Sequence, residues 1–240
     1  MEIAMAGIGR QGMVQAILWM VASSLLVHGL GHAGEHEQGP ASTILKACLK
    51  PIDTVLGAKL EVEVHGPKGQ DRHYSVRLER NAHEWLFHVD KPAPSLRLNI
   101  GETMDVAIMK TGSWHSPAPD DVAATPWLLD LAFLVPRQVS LERYQTRSDM
   151  KMAGKRYLTL VADGLNEGEF GQASLSVTLS GPECRLLRAV YFDRTGKLWK
   201  KVFYHWQSVQ GHTAWKNMHV EDARTLGRTI YRFFDFRFRP

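Results

Sequence analysis

The segment Lys59–Glu79, KLEVEVHGPKGQDRHYSVRLE, decides the fold class. Leu60, Val62 and Val64 alternate with Glu61, Glu63 and His65, and Tyr74, Val76 and Leu78 alternate with Ser75, Arg77 and Glu79. A period of two gives each run one apolar and one polar face, which is the signature of a half-buried strand. The Gly66 to Gln70 stretch between the runs is turn chemistry, so the pair predicts an antiparallel hairpin.

The same alternation continues downstream in Trp85, Phe87 and Val89, in Leu96, Leu98 and Ile100, and in Val106 and Ile108. Five successive strands with one apolar face make a meander, which must bury that face against helices, a second sheet or itself by curling. Pro117 and Pro119 then mark an irregular loop. Thr125 as N-cap and Pro126 at the first helical position predict a helix over Trp127–Leu134, stopped by Pro136. That helix is apolar on nearly every side, so it is expected to be buried in a core or to cover an apolar surface.

Upstream, Ser42 reads as the N-cap of a helix carrying Ile44, Leu45, Cys48, Leu49 and Ile52, which Pro51 should end or kink near Lys50. Past the middle, strands are predicted around Leu158–Ala162, Leu175–Leu179, Leu187–Phe192, Leu198–Trp206, Ala214–Glu221 and Thr229–Phe238. No helical crossover separates them, so the sheet should be antiparallel. With no repeat and no low-complexity linker, residues 34–240 read as one mainly β domain.

Residues 1–33 read as an export signal: Arg10 in a short leader, an unbroken low-polarity run from Ala16 to Val27, and small residues before a cleavage point after Ala33. The expected location is the periplasm; the alternative is an uncleaved anchor extended through Leu30. Leu45 to Cys48 superficially matches the end of a lipoprotein signal, but Glu35 to Gln38 and Pro40 stand where an apolar stretch would be needed. In an oxidising compartment Cys48 and Cys184 could form one disulfide, although their spacing matches no recognised pattern.

The 240 residues are 44% hydrophobic, enough for a substantial core and against disorder of the whole chain. The net charge of +4 is scattered along strands, and export argues against a nucleic-acid partner. Arg224, Arg228, Arg232, Arg237 and Arg239 make the C-terminal end the most basic region, where contact with anionic lipid is a secondary expectation.

Motifs for catalysis or metal binding do not emerge. His32, Glu35 and His36 match H-x-x-E-H by chance, since the expected cleavage site splits them. His83 and His88 are an odd number of residues apart, on opposite faces of a strand. His205, His212 and His219 span a turn and two strands, and Asp120 and Asp121 sit beside a proline. The expectation is a non-enzymatic protein with no catalytic residue, metal or cofactor.

The C-terminal third carries a resemblance. Tyr191, Phe192, Asp193, Arg194, Thr195, Gly196, Lys197 and Leu198, then Gly211, Trp215, Met218, Glu221, Asp222, Thr225, Gly227, Arg228 and Thr229, and finally Phe234 to Phe238, resemble in order and spacing the closing strands of the outer-membrane lipoprotein-sorting proteins. The nearest branch is a poorly characterised group of periplasmic lipoprotein-carrier-like proteins. One departure is visible: the family usually has a proline soon after the glycine matching Gly211, where this chain has His212, Thr213 and Ala214.

The resemblance implies a strongly curved antiparallel sheet forming a half-open barrel with helices across its opening, and a cup that receives acyl chains. Its partners would be lipid acyl chains or an acylated lipoprotein and a membrane transport complex, with the chain itself a monomer. Trp85, Phe87, Leu96 and Leu98 are then candidates for the inner surface; Trp127, Leu128, Leu131 and Leu134 are candidates for the lid, with the Ile44–Ile52 helix as a second lid. The alternative is an interaction module that uses the same fold as an adaptor for a membrane transport system. The cargo itself is not legible.

Overall fold

The computed structural model describes residues 40–66, 71–81, 84–90, 94–100, 104–118, 126–135, 139–163, 170–180 and 183–239. The leader, the H-x-x-E-H residues, His83, Asp120, Asp121, Thr125 and Pro136 lie outside them.

The first meander is β1 (Val55–His65), β2 (Asp71–Arg80), β3 (Glu84–Val89), β4 (Leu96–Ile100), β5 (Met104–Lys110) and β6 (Ser113–His115). The second is β7 (Gln145–Met152), β8 (Lys155–Asp163), β9 (Phe170–Ser180), β10 (Glu183–Asp193), β11 (Leu198–Val209), β12 (His212–Asp222) and β13 (Gly227–Phe238). All belong to one 13-stranded antiparallel sheet of order β6-β5-β4-β3-β2-β1-β13-β12-β11-β10-β9-β8-β7. The two meanders meet where β1 pairs with β13, for example Val62 with Tyr231 and Leu60 with Phe233. The ends, β6 and β7, do not pair, so the barrel stays open.

Curvature follows from irregular pairing. Register shifts interrupt β1/β13 near Gly57, β9/β10 at Leu187 and β11/β12 between His205 and Trp206. Each extra residue bends its strand and increases the local twist. Three hairpins close with two-residue turns whose residues both have positive φ: Thr111–Gly112, Ala153–Gly154 and Gln210–Gly211. That is the turn whose twist matches right-handed strands, and it is why glycine stands second in each.

The predicted strands are present, and the structure adds two. β6 is only a short edge piece; β7 is exposed at every residue. β10 also starts earlier than its apolar run suggests, at Glu183.

The first helix, α1 (Ala41–Leu49), corrects the capping expectation. Ser42 lies inside it and is buried, while Pro40 occupies the cap with no side-chain hydrogen bond. The helix therefore starts two residues earlier than a Ser42 cap would set it. Pro51 then begins a 3₁₀ turn over Lys50–Thr54, as its missing N–H requires. The second helix, α2 (Pro126–Asp130), tightens into a 3₁₀ turn over Leu131–Leu134.

Candidate functional site

The inward face of the sheet and the two helices form one hydrophobic cluster. Its largest enclosed side chains include Trp85, Phe87, Tyr191, Trp215 and Tyr231. Trp215 organises one end, edge-on to Trp85 at 5.6 Å and stacked on Phe233 at 5.3 Å. Trp85, Phe87, Leu96 and Leu98 from the wall and Trp127, Leu128, Leu131 and Leu134 from the lid segment are all buried together in this cluster. The interior of the cup is therefore occupied by the chain's own side chains, and α2 with its 3₁₀ turn contributes a plug of Trp127, Leu128, Leu131, Phe133 and Leu134.

The plug is docked by polar contacts as well. A short helix leaves its last carbonyls without internal partners. Here the Tyr231 hydroxyl donates to the Trp127 carbonyl and the Tyr204 hydroxyl donates to the Phe133 carbonyl, the latter at 2.6 Å. Burial pushes both phenols well above their ordinary pKa, so both remain donors. The Trp127 ring stacks on Tyr74 at 4.2 Å, and Phe133 meets Tyr191 edge-on at 4.9 Å.

Asp130 ends α2 and is buried. Its carboxylate forms an ion pair with Lys200, whose ammonium also lies 3.1 Å from Asp222 Oδ2. The sheet register explains the meeting: Lys200 pairs with Tyr191 on one side and Asp222 on the other, in an inward row shared with Val202 and Tyr204. Burial raises the Asp130 pKa to about 6, opposed by Lys200 and reinforced by the nearby Asp222 charge. Burial works against the Lys200 ammonium, yet Asp130 and Asp222 outweigh it and raise its pKa. For Asp222 burial is likewise outweighed, by Lys200 and by the backbone N–H groups of Thr225 and Arg224, so its pKa is lowered.

The other helix is held differently. Cys48 of α1 is disulfide-bonded to Cys184 at the start of β10, which closes the question the spacing left open. Arg80 donates from Nη1 to the Ile52 carbonyl at 2.6 Å and from Nη2 to Asp53 at 2.8 Å. Thus α1 is fixed covalently, whereas α2 is held by contacts that can be exchanged.

Some interior donors find no hydrogen-bond partner among the described residues: Trp127 Nε1, Trp215 Nε1 and the Tyr144 hydroxyl. Leaving such a group unpaired costs about 1–3 kcal/mol. The filled cup is packed, but not fully satisfied.

Sequence reasoning missed the Asp130–Lys200–Asp222 set and the two tyrosine donors. The available signals were an acid inside an otherwise apolar helix and a lysine at an inward strand position. The histidines part company: the His205 and His219 rings lie 5.1 Å apart on the outward face, while His212 stacks on Phe238. His88 sits 3.6 Å from Glu79. Among the described residues no three His, Cys, Asp or Glu side chains converge as metal ligands would.

The residues behind the C-terminal resemblance are largely turn-builders. Asp193 accepts from the Thr195 hydroxyl at 2.6 Å and from the Thr195 and Lys197 N–H groups, which with the Arg224 pairing holds its carboxyl down at about 2. Asp222 accepts from the N–H groups of Arg224 and Thr225 in the next turn. Asp222 thus shapes a turn and anchors Lys200 at once.

No family model and no curated protein matches the sequence. Solved structures do. A LolA superfamily protein from Nitrosomonas europaea superposes with a TM-score of 0.60 at 14% identity, covering 85% of this chain and 95% of that one. A DUF1329 family protein from Desulfovibrio piger gives 0.61 at 15%, covering 84% and 94%. A domain from Vibrio parahaemolyticus described as outer membrane lipoprotein-sorting gives 0.61 at 14%, covering 83% and 93%. At these identities the likeness is one of fold, and it extends over nearly the whole of each neighbour. The half-barrel with its docked helices is the fold of the LolA-like, lipoprotein-sorting proteins, as the closing strands suggested.

Proposed function

We propose that this chain is a non-catalytic periplasmic carrier for the acyl chains of a lipid or an acylated lipoprotein, acting in lipoprotein sorting or envelope lipid transport. The observation that carries the reading is the plug. α2 and its 3₁₀ turn fill the cup with Trp127, Leu128, Leu131, Phe133 and Leu134, and exchangeable polar contacts retain them.

Magnitudes favour a reversible exchange. Burying one such side chain contributes roughly 1.5–3 kcal/mol, so the plug's apolar face is worth on the order of 10 kcal/mol. An acyl chain of about fourteen methylenes gains a similar amount at about 0.8 kcal/mol each. Loading and release are then near balance, as a carrier needs. Ester carbonyls of the cargo would also offer acceptors to the unpartnered indole and phenol donors.

Native mass spectrometry of the chain purified from its own envelope, with displacement of a fluorescent fatty acid, tests this. The expected result is a lipid-sized adduct and saturable displacement. Absence of both, together with a fixed protein partner in cell crosslinking, would instead establish an adaptor.

A further inference from the structure

We propose that the outward face of β7–β10, beside β11 and β12, is a contact site for the anionic phospholipid surface of a bilayer, distinct from the cup. Large exposed apolar side chains are few: among the described residues they are Met150, Met152 and Leu226, with Met150 at 59% and Met152 at 58% exposure. The two methionines are two residues apart on one strand, so they share a face.

The register extends that face inward from the sheet edge. Met150 pairs with Tyr157, Tyr157 with Thr178, and Thr178 with Arg185, while Met152 pairs with Lys155. Tyr157 alternates with the core residues Leu158 and Leu160, which puts this row on the side away from the plug.

Next to it the sheet divides. The β10–β11 ladder runs only from Arg188–Phe203 to Phe192–Leu198, so the first half of β10 and the last half of β11 part. The Trp206 indole bridges the split by donating to the Leu186 carbonyl at 2.7 Å. Above it opens a groove of about 580 Å³ lined by Lys155, Tyr157, Arg185, His205, Trp206 and Lys216 among others. Arg185 is paired with Glu183 at 2.8 Å, whereas Lys155 and Lys216 have no carboxylate within ion-pair distance among the described residues.

A pair of flexible thioethers at an edge, an aromatic platform and two lysines match the two components of a membrane surface. Apolar tips enter the acyl boundary and cations meet phosphate. Of the C-terminal arginines, Arg232 pairs with Glu63, and Arg224 lies over Trp199 and pairs with Asp193. The unpaired cations beside the exposed methionines place the proposed contact at the β7–β8 hairpin and the groove next to it.

Co-sedimentation of the full chain with vesicles tests the proposal, using phosphatidylcholine alone and a two-to-one mixture with phosphatidylglycerol. The wild type should pellet with the mixed vesicles and be released at high salt. The pair Lys155→Gln and Lys216→Gln should weaken partition roughly fivefold per lysine. Met150→Ser with Met152→Ser should weaken it with charge unchanged. All four positions are exposed, so both pairs should keep the wild-type Tm and fatty-acid displacement. Equal binding to neutral vesicles, or wild-type partition by both folded variants, overturns the proposal. A face built for an acidic protein would leave the chain in the supernatant with both vesicles, which also overturns it. Fatty-acid displacement is read separately, so loss of carriage leaves this result standing, and the reverse.

Discussion

Lys200 of β11 and Asp130 of α2, seventy residues apart in the chain, form a buried ion pair with both side chains below a tenth exposed. The pair joins the plug to the wall. Because Asp222 also reaches Lys200, a single ammonium serves two carboxylates, one on α2 and one on the sheet.

The pH dependence of docking follows from Asp130. Its folded pKa of about 6 lies above the ordinary value of 3.8, so the folded chain holds this proton more tightly than the unfolded one. The contribution is fully present below pH 3.8 and is lost as pH rises through about 6, a change of about 3 kcal/mol. Asp193 and Asp222, with lowered pKa values, act in the opposite sense at acid pH. Thermal melts of the wild type and Asp130→Asn between pH 4 and 7 should therefore differ in slope, with the variant lacking the decline.

Lys200→Met removes the shared cation and leaves two carboxylates facing each other in the interior. Breaking a buried pair in this way costs about 3–5 kcal/mol at neutral pH. Protease cleavage near α2 and dye binding to the uncovered cup should both increase, and acidification should restore part of the loss by neutralising Asp130.

Leu131→Ala separates a plug from an ordinary core. The substitution should destabilise docking by about 2–5 kcal/mol, and in a carrier the same loss lowers what a cargo must displace. Fatty-acid affinity is expected to rise by at least about tenfold. Leu160→Ala on the β8 wall, equally buried, should lower Tm without that gain.

Cys48→Ala with Cys184→Ala, or reduction, should lower stability by about 2–5 kcal/mol, because the bridge closes a long loop in the unfolded chain. Its effect belongs to α1. The difference in pH slope between wild type and Asp130→Asn should persist in the reduced protein.

Much of the architecture was readable because half-buried strands write their burial into alternate residues, as Leu60, Val62 and Val64 do. β7 was not, since Gln145 to Met152 are exposed throughout and bury no alternating apolar face. The wall and plug residues were readable as apolar and could be placed on elements. Their polar fasteners were not: Asp130, Lys200, Tyr204 and Tyr231 meet only through tertiary register. The disulfide was similarly open until α1 was placed against β10. Capping failed at Ser42 because the chain uses Pro40 instead and buries Ser42 inside α1.

The seam between β1 and β13 joins the first strand to the last among the described residues. Each meander can form from neighbouring hairpins, but their union waits for β13, and contacts so distant along the chain are slow to form. A chain cut short before β13 would carry bare edges on β1 and β12, open to pairing with other molecules. The half-barrel is thus continuous only once β13 has paired on both sides.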